Sequence, residues 1–359
     1  MSEPSPPTMR QRSTHYQRAL LLPLTIAIAI LMTTVVIAEY FRENQALETE
    51  RERNVAAVRD AFGLAISRDS DKLGATLKPI IRNAYLRNFF LNGEREGLRN
   101  ATGELFEVLR RDHGITHFYF IDKNRKMFLR VQRPESFGDQ IDRTTLLQAE
   151  QSGKVAAGLE LGQKGVFTLR VVEPWLDQVG NRIGYIELGM EIDRTLAQLH
   201  ELTGVDLFLL VDKRFLNRAQ WEEGMDMIGH LKDWDLIPDK VVAGRTRNAN
   251  DVLLAAHPGF QSGGAALEGR YRARSAGRSI EFSSRPLTDA SGRTLGLVLM
   301  AHDLTAMETR QQRFLAIIIG AALVFGTAVL LITNRALARI CAEQNAVAET
   351  EEEARQAGT

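Results

Sequence analysis

The residues best suited to chemistry in this sequence are four arginines in the middle of the chain: Arg130, Arg133, Arg143 and Arg170. Arg130 follows Leu129 and Arg170 follows Leu169, in runs with the alternation of β-strands. Each of these two arginines should therefore point to the opposite face of a sheet from its apolar neighbour. A guanidinium on a half-buried sheet face needs an anion beside it.

The sequence leaves two sources of that anion open. In the first, carboxylates of the same chain form structural ion pairs, and the candidates are Glu135, Asp139, Glu160 and Glu173. In the second, the arginines clamp a carboxylate or phosphate of a small ligand bidentately, and aromatic side chains pack its apolar part. The candidate ligand-binding residues on this second hypothesis are Arg130, Arg133, Arg143, Arg170, Trp175, Tyr119 and Asp139.

Other functional patterns are weak. Two tryptophans beside carboxylates, Trp221 and Trp234 with Asp233 and Asp235, favour either a cation site or a surface loop with one buried anchor. Asp112, His113 and His117 are close in sequence, but Gly114 breaks the helix between the two histidines, so polar loop residues are the better interpretation.

No nucleophile motif, zinc motif or P-loop occurs, and a single cysteine rules out a Cys-x-x-Cys site. The sequence thus predicts no enzyme, no catalytic residues, no cofactor and no metal. The formal net charge is 0, and no basic patch with interleaved aromatics occurs, so nucleic-acid binding is not expected either.

Two uncharged stretches, Ala19–Ala38 and Phe314–Thr333, are each long enough to cross a bilayer as a helix. The segment between them would then lie on one side of the membrane and both tails on the other. A cleaved signal peptide is the alternative for the first stretch, although signal cores are usually about 7–15 residues long. Arginines close to the membrane are balanced on the two sides, so the positive-inside rule barely decides the orientation.

The first part of the middle segment has helical periodicity. Helices are expected over Glu39–Asp69, Lys72–Leu91 and Glu94–Arg111, with Gly93 and Gly114 ending the last two.

From Thr116 onward the pattern is that of strands. We expect a hairpin and a short helix followed by three strands: His117–Ile121 with Met127–Val131, then Thr144–Gln151, Val155–Leu161, Val166–Val172 and Arg182–Gly189. Strands after a helical lead-in predict an α+β fold with antiparallel sheets.

The strongest internal evidence is a repeat with an offset of 112 residues. Pro174–Gly180 followed by Ile183-Gly184 recurs as Pro286–Gly292 followed by Leu295-Gly296. Upstream, Phe120–Lys123 has a counterpart in Leu210–Lys213. The segment thus contains two copies of one module, each with a Pro-x-x-Asp-x-x-Gly hairpin.

With two spans and a long first helix, this duplicated sheet resembles the double Cache (PAS-like) sensory region of bacterial chemoreceptors and sensor kinases. The closest likeness is to the double sensory domain of two-component sensor kinases. The matching motifs are Leu129–Asp139 with Arg143, Gly158–Gly162 with Gly165, Leu169–Val172 with Pro174-Trp175, and Gly184–Gly189. The chain departs from the family pattern at Gln132, where members often carry a histidine.

The resemblance implies seven regions. They are a cytoplasmic tail 1–18, a span 19–38, a periplasmic helical lead-in 39–113, a membrane-distal module 114–195, a membrane-proximal module 196–313, a span 314–333 and a cytoplasmic helical tail 334–359. Together with the arginines, it predicts a homodimeric sensor of the bacterial inner membrane that binds a small anionic metabolite in the distal module. Its signal would cross the membrane as a small piston or rotation of the second span.

Only Asn334–Thr359 follow the second span, too few for a kinase core or a HAMP relay. The sequence therefore predicts a signal passed in trans to a separate kinase or chemotaxis protein, or else a truncated receptor. The runner-up function is a non-catalytic membrane scaffold that binds a periplasmic protein partner. A deep arginine-lined pocket in the distal module would oppose the scaffold.

Overall fold

The computed structural model describes residues 9–246, 259–275 and 277–357. Contacts divide the chain into two compact units. One unit comprises Met1–Glu52 and Ala306–Thr359, and the other comprises Arg53–Thr305. Residues 1–8 of the predicted N-terminal tail lie outside the described residues.

The described helices are α1 (Met9–Arg82), α2 (Ala84–Leu91), α3 (Arg95–His113), α4 (Thr144–Ser152), α5 (Asp193–Thr203), α6 (Arg218–Ile228), α7 (Gly259–Ser262) and α8 (Thr305–Ala357). Two short 3-10 helices cover Lys213–Phe215 and Gly264–Leu267. The strands are β1 (His117–Asp122), β2 (Met127–Arg130), β3 (Ala156–Leu161), β4 (Phe167–Leu176), β5 (Arg182–Glu191), β6 (Asp206–Asp212), β7 (Lys240–Arg245), β8 (Arg270–Ser275), β9 (Arg278–Thr288) and β10 (Thr294–Asp303).

Each copy of the repeat, within Arg53–Thr305, forms a five-stranded antiparallel sheet. The first sheet has the order β2-β1-β5-β4-β3 and the second has the order β7-β6-β10-β9-β8, so equivalent strands hold equivalent places. These are called the first and second modules below. The predicted α+β class and the duplicated module are confirmed.

The repeated glycines have a packing reason. A β-carbon built on Gly184 would overlap the carbonyl oxygen of Ile121, and one on Gly296 would overlap that of Leu210. Both glycines therefore let the closing and central strand of a module, β5 or β10, approach the strand beside it, β1 or β6. The same backbone contact in both copies explains why Ile183-Gly184 and Leu295-Gly296 follow the two turns.

The predicted break in the first helix, between Asp69 and Lys72, is wrong. Ser70 donates its hydroxyl proton to the Ile66 carbonyl at 2.8 Å, and α1 continues to Arg82. The break comes at Asn83, whose side-chain oxygen accepts hydrogen bonds from the first backbone N–H groups of α2. The third helix was correctly predicted, and Gly114 ends it with a left-handed φ of 69°.

The strand predictions of the first module are confirmed with small shifts in their ends, except at β4. That strand was expected to stop at Val172 but extends to Leu176. Its extension carries Trp175 onto the helix-covered face of the sheet. There Trp175 is fully buried among Phe90 and Phe120 and donates from Nε1 to the Ile81 carbonyl at 2.9 Å.

Among the described residues, two helical segments are long and apolar enough to cross a membrane. They are Pro23–Thr49, with mean hydropathy 2.1, and Thr305–Ile340, with mean hydropathy 2.8. Each overlaps one of the spans predicted from sequence.

Candidate ligand pocket

The register of the first sheet brings the predicted arginines onto one face. Tyr119 on β1 pairs with Arg130 on β2 and with Glu187 on β5. Glu187 in turn pairs with Val172 on β4, two residues from Arg170. Side chains two apart along a strand share a face, so Arg130, Tyr119, Glu187 and Arg170 lie together on the face opposite the long helices.

Arg130 is held by a bidentate ion pair. Its Nη1 and Nη2 atoms donate to the two carboxylate oxygens of Asp139 at 2.8 and 2.7 Å, and Nη1 also donates to the Ser136 carbonyl. The hydrogen bonds to Asp139 raise the pKa of Arg130 above its usual value, and the same bonds lower the pKa of Asp139. The loop after β2 is thereby tied to the sheet.

Arg170 is the most deeply placed of the four arginines, with a side chain only 6% exposed. Its Nη1 donates to Glu187, and its Nε lies 3.4 Å from Glu160. Burial is the largest influence on the pKa of Arg170 and lowers it, but the charges of Glu187, Tyr119 and Glu160 and the hydrogen bond to Glu187 together outweigh burial, so the net shift is upward. Arg170 therefore stays a cation between two carboxylates.

Arg143 approaches the same carboxylate from the loop before α4. Its Nη2 atom lies 3.3 Å from Glu187, and its side chain is one-quarter exposed. The guanidinium groups of Arg143, Arg130 and Arg170 lie 5.2, 5.5 and 6.0 Å from the centre of the Tyr119 ring. The ring thus packs among three cations, as cation–π geometry favours.

Several buried polar atoms here have no hydrogen-bond partner among the described residues. They are Nε and Nη2 of Arg143, Nε of Arg170, Oε2 of Glu160, Oε2 of Glu187 and Oγ1 of Thr145. Nη2 of Arg143 and Oε2 of Glu187 still face each other at 3.3 Å as an ion pair, as do Nε of Arg170 and Oε2 of Glu160 at 3.4 Å. Nε of Arg143 and Oγ1 of Thr145 have neither kind of partner among the described residues. Buried polar atoms without partners are uncommon in folded proteins, and a bound ligand or water is a usual explanation. The donors and acceptors on this face can therefore receive a polar molecule.

A cavity of about 490 Å³ opens over these side chains. Arg130, Arg143, Arg170 and Glu160 line it from the first module, and Met227 and Ile228 line it from α6 of the second module. This volume is within the range of small-molecule sites.

His117 lies at the edge of the cavity and was not predicted as a site residue. Its Nδ1 is 2.8 Å from Thr116 Oγ1. Burial, followed by the charges of Arg170 and Arg143, lowers its pKa well below 6.5. His117 is therefore neutral at pH 7, and protonating it would add a fourth positive charge beside the arginines.

The structure brings together five of the seven predicted site residues: Tyr119, Arg130, Asp139, Arg143 and Arg170. It places the other two away from this cluster. Arg133 is 52% exposed in the turn after β2, 3.9 Å from Glu135, and does not line the cavity. Trp175 lies on the opposite face because five residues separate it from Arg170 on one strand, so it cannot pack a ligand beside the arginines.

Of the carboxylates proposed as structural partners, Asp139, Glu135 and Glu160 lie near the predicted arginines. Glu173 lies instead near Lys78 and Arg82, and burial raises its pKa. The central partner, Glu187, was missed. Its position between the apolar Ile186 and Leu188 in the β5 sequence is a signal that places it on the face opposite those two side chains.

The tryptophans of the second module have a structural role. Trp221 is fully buried in α6, and its ring lies 5.4 Å from that of Trp234. Asp235 pairs with Arg218 and Asp233 pairs with Arg245. The carboxylates are thus already paired with arginines, and the buried-anchor interpretation is the better one.

A family model matches about half of the chain. Residues 51–234 match the family described as the double sensory domain of two-component sensor kinase. The chain belongs to this family, that of double Cache sensory domains. No curated protein sequence matches the chain.

Among solved structures, the chain is similar to the sensor domain of the histidine kinase DctB of Vibrio cholerae, at 15% identity and a TM-score of 0.41, over 72% of this chain and 96% of that one. It is also similar to the periplasmic domain of Vibrio cholerae LuxQ, at 12% identity and a TM-score of 0.40, over 70% and 98%. A third is the ligand-binding domain of the Campylobacter jejuni chemoreceptor Tlp3, in complex with L-valine, at 12% identity and a TM-score of 0.32, over 70% and 94%. The family assignment rests on the match over residues 51–234.

Proposed function

We propose that this chain is a membrane-bound sensor whose first module binds a small anionic metabolite. The observation that carries the proposal is the cavity over Arg130, Arg143 and Arg170, beside which Nε of Arg143 and Oγ1 of Thr145 are buried with neither a hydrogen bond nor an ion pair among the described residues. A ligand carboxylate or phosphate would accept hydrogen bonds from Arg143, the more exposed of the two. The acceptor atoms of Glu160 and Glu187 would receive hydroxyl or ammonium groups of the same ligand.

The proposal includes the topology expected from sequence. The sensory domain lies between two apolar helices, which fits a bacterial inner-membrane protein with a periplasmic domain. We place both termini in the cytoplasm, the first module farther from the membrane than the second, and a second copy of the chain as the dimer partner. Two predictions for the output of the signal stay open. In one, the signal passes in trans to a separate kinase or chemotaxis protein, and in the other the chain is a truncated receptor.

The scaffold hypothesis has less support. It predicts a first module without a ligand cavity, whereas the arginine face carries a cavity of about 490 Å³. The charges of Arg130, Arg143 and Arg170 are matched by those of Asp139 and two glutamates, so the site suits a ligand that is held by several oriented hydrogen bonds. We therefore favour small-molecule sensing over protein scaffolding.

A thermal-shift screen of the full chain in detergent micelles tests the proposal. The compounds are organic acids, amino acids, inorganic phosphate and quaternary amines. A ligand that binds only the folded state raises the midpoint of unfolding by mass action. We expect an organic acid, an amino acid or phosphate to raise it in the wild type and in Arg133→Ala, but not in Arg143→Ala.

Arg133→Ala is the matched control because it removes an arginine of the same loop, residues 131–143, that lies outside the cavity. A shift that persists in Arg143→Ala would contradict the proposed site. A response to quaternary amines alone would contradict the anionic ligand.

A further inference from the structure

The tip of the second module's hairpin is joined to the edge strand of the first module. The backbone N–H of Ala290, between β9 and β10, donates to the Leu159 carbonyl of β3 at 2.9 Å. The Ala290 carbonyl accepts a hydrogen bond from the Gln148 side chain of α4, also at 2.9 Å. The joint therefore reaches β3, which lines the cavity through Glu160 and Leu161, and α4, whose preceding residue Arg143 also lines it.

The fit at this joint requires small residues on both sides. A β-carbon built on Gly158 of β3 would lie 2.6 Å from the β-carbon of Ala290. The repeat supplies a comparison within the molecule, because Ala290 corresponds to Gln178 in the first module. Gln178 is exposed, and the described hydrogen bonds of its turn run within Asp177–Asn181.

The residue after Leu159 belongs to the cavity. Glu160 lies 3.4 Å from Arg170 and accepts a hydrogen bond from the backbone N–H of Thr145, at the start of α4, at 2.7 Å. In β3, the backbone carbonyl of Leu159 is thus bonded to the second module, and the side chain of the next residue, Glu160, is paired with the buried Arg170 of the first module.

The turn between β3 and β4 makes a second contact with the second module. Lys164 pairs with Glu223 of α6, and Gly224 of α6 packs directly on the Lys164 backbone carbonyl. Gly165 packs on the ring of Trp221. The second module therefore holds the β3–β4 hairpin on both sides of Glu160, at Leu159 and at the turn.

We propose that the β3–β4 hairpin couples the cavity to β10, with Ala290 as the positioning residue that fixes Glu160 against Arg170. A change at the Arg170–Glu160 contact shifts β3 and, through the Leu159–Ala290 hydrogen bond, the β9–β10 hairpin. β10 ends at Asp303, and the chain enters α8 two residues later. The role of this coupling in signalling rests on the proposed function, but the coupling itself requires no ligand.

A double-mutant cycle on the full chain in micelles tests the coupling. All three tryptophans, Trp175, Trp221 and Trp234, lie in the two modules, so their fluorescence during urea unfolding follows this region. Ala290→Gln installs the residue of the other repeat and removes the close fit with Gly158. Residues coupled through a shared contact give non-additive effects, and we expect Ala290→Gln and Glu160→Gln to deviate from additivity by about fivefold in the unfolding constant.

The control cycle combines Gln178→Ala with Glu160→Gln and should be additive, because the turn of Gln178 does not join β3. If Ala290→Gln does not fold, hydrogen exchange replaces the cycle. Glu160→Gln should then speed exchange of the Ala290 amide about fivefold and leave that of Val179 unchanged.

An additive Ala290–Glu160 cycle, or an Ala290 amide that exchanges at the wild-type rate in Glu160→Gln, would overturn the coupling. Neither experiment contains a ligand. If the ligand screen fails and the cycle is non-additive, the proposed function is contradicted and the coupling is supported. If the screen finds a ligand and the cycle is additive, the coupling is contradicted and the proposed function is supported.

Discussion

Arg170 and Glu187 form an ion pair on neighbouring strands with side chains that are 6% and 0% exposed. Glu187 also lies 3.3 Å from Arg143, so one carboxylate serves two guanidinium groups. Removing charges from water is costly, and such a pair is retained only when additional contacts satisfy it. This arrangement makes Glu187 the structural centre of the proposed pocket, while Arg143 is the arginine most available to a ligand.

Glu187→Gln should strongly destabilise the two modules. The substitution leaves Arg170 buried beside only one carboxylate, and breaking a buried pair on one side costs about 3 kcal/mol or more. Urea unfolding followed by tryptophan fluorescence measures the loss. Glu135→Gln is the matched control, since Glu135 is 73% exposed and 3.9 Å from Arg133, and we expect it to change the free energy of unfolding by less than about 0.5 kcal/mol. Equal effects of the two substitutions would contradict the central place of Glu187.

Trp175→Phe separates the structural role of this residue from the ligand-binding role expected from sequence. The variant loses the indole hydrogen bond to the Ile81 carbonyl and part of the packing against Phe90. We expect a loss of about 2 kcal/mol in the free energy of unfolding. Any ligand found in the thermal-shift screen should still raise the midpoint of the variant by the wild-type amount. Abolished binding in a folded variant would restore Trp175 to the site.

Trp175 also shows which information the sequence lacked. The hairpin turns, the repeat and the alternation of Arg130 and Arg170 are local patterns, and they predicted the sheets and the arginine face. The face of Trp175 depended on whether β4 continues beyond Val172, and the proline at 174 gave no clear answer. Because the strand does continue, an odd separation from Arg170 places the two side chains on opposite faces.

The pairing of Arg170 with Glu187 was hidden for a different reason. It depends on the register between β4 and β5, in which Glu187 lies opposite Val172. That register includes an irregularity at Trp175/Leu176, which a two-residue alternation does not reveal. The long-range contact of Ala290 with Leu159 likewise joins two modules whose packing no local pattern specifies.

Two glycines in helices should respond to alanine in opposite ways. Gly224 of α6 packs against the Lys164 carbonyl, so a methyl group there forces the β3–β4 turn away, and we expect Gly224→Ala to lower the free energy of unfolding by about 2 kcal/mol. Gly103 of α3 has open space around it, and Gly103→Ala should raise that free energy by up to about 1 kcal/mol through helix propensity. Thermal or urea unfolding of Gly224→Ala and Gly103→Ala, each compared with the wild type, measures the two changes in the free energy of unfolding. A neutral Gly224→Ala would show that α6 does not hold the turn closely.

His117 should make the stability of the modules depend on pH. Its pKa is lowered in the folded state, by burial first and then by Arg170 and Arg143, with Arg130 and Arg133 adding to the effect. In the unfolded chain His117 therefore binds a proton near pH 6.5, whereas in the folded chain it binds that proton only at a lower pH. Stability contributed by neutral His117 is complete above pH 6.5 and falls as the pH drops toward the folded pKa.

Between pH 6.5 and the folded pKa of His117, the free energy of unfolding falls by up to about 1.4 kcal/mol for each pH unit. Other groups titrate as well, since burial lowers the pKa of His230 and raises that of Glu191. The difference between the wild type and His117→Gln isolates His117, because glutamine can keep a hydrogen bond to Thr116 but does not titrate. Urea unfolding at pH 7.5, 6.5 and 5.5 should show the wild type losing about 1 kcal/mol more than the variant. Parallel pH profiles would mean that His117 is protonated as easily in the folded chain as in the unfolded chain, and that the arginine face is less positive than its geometry indicates.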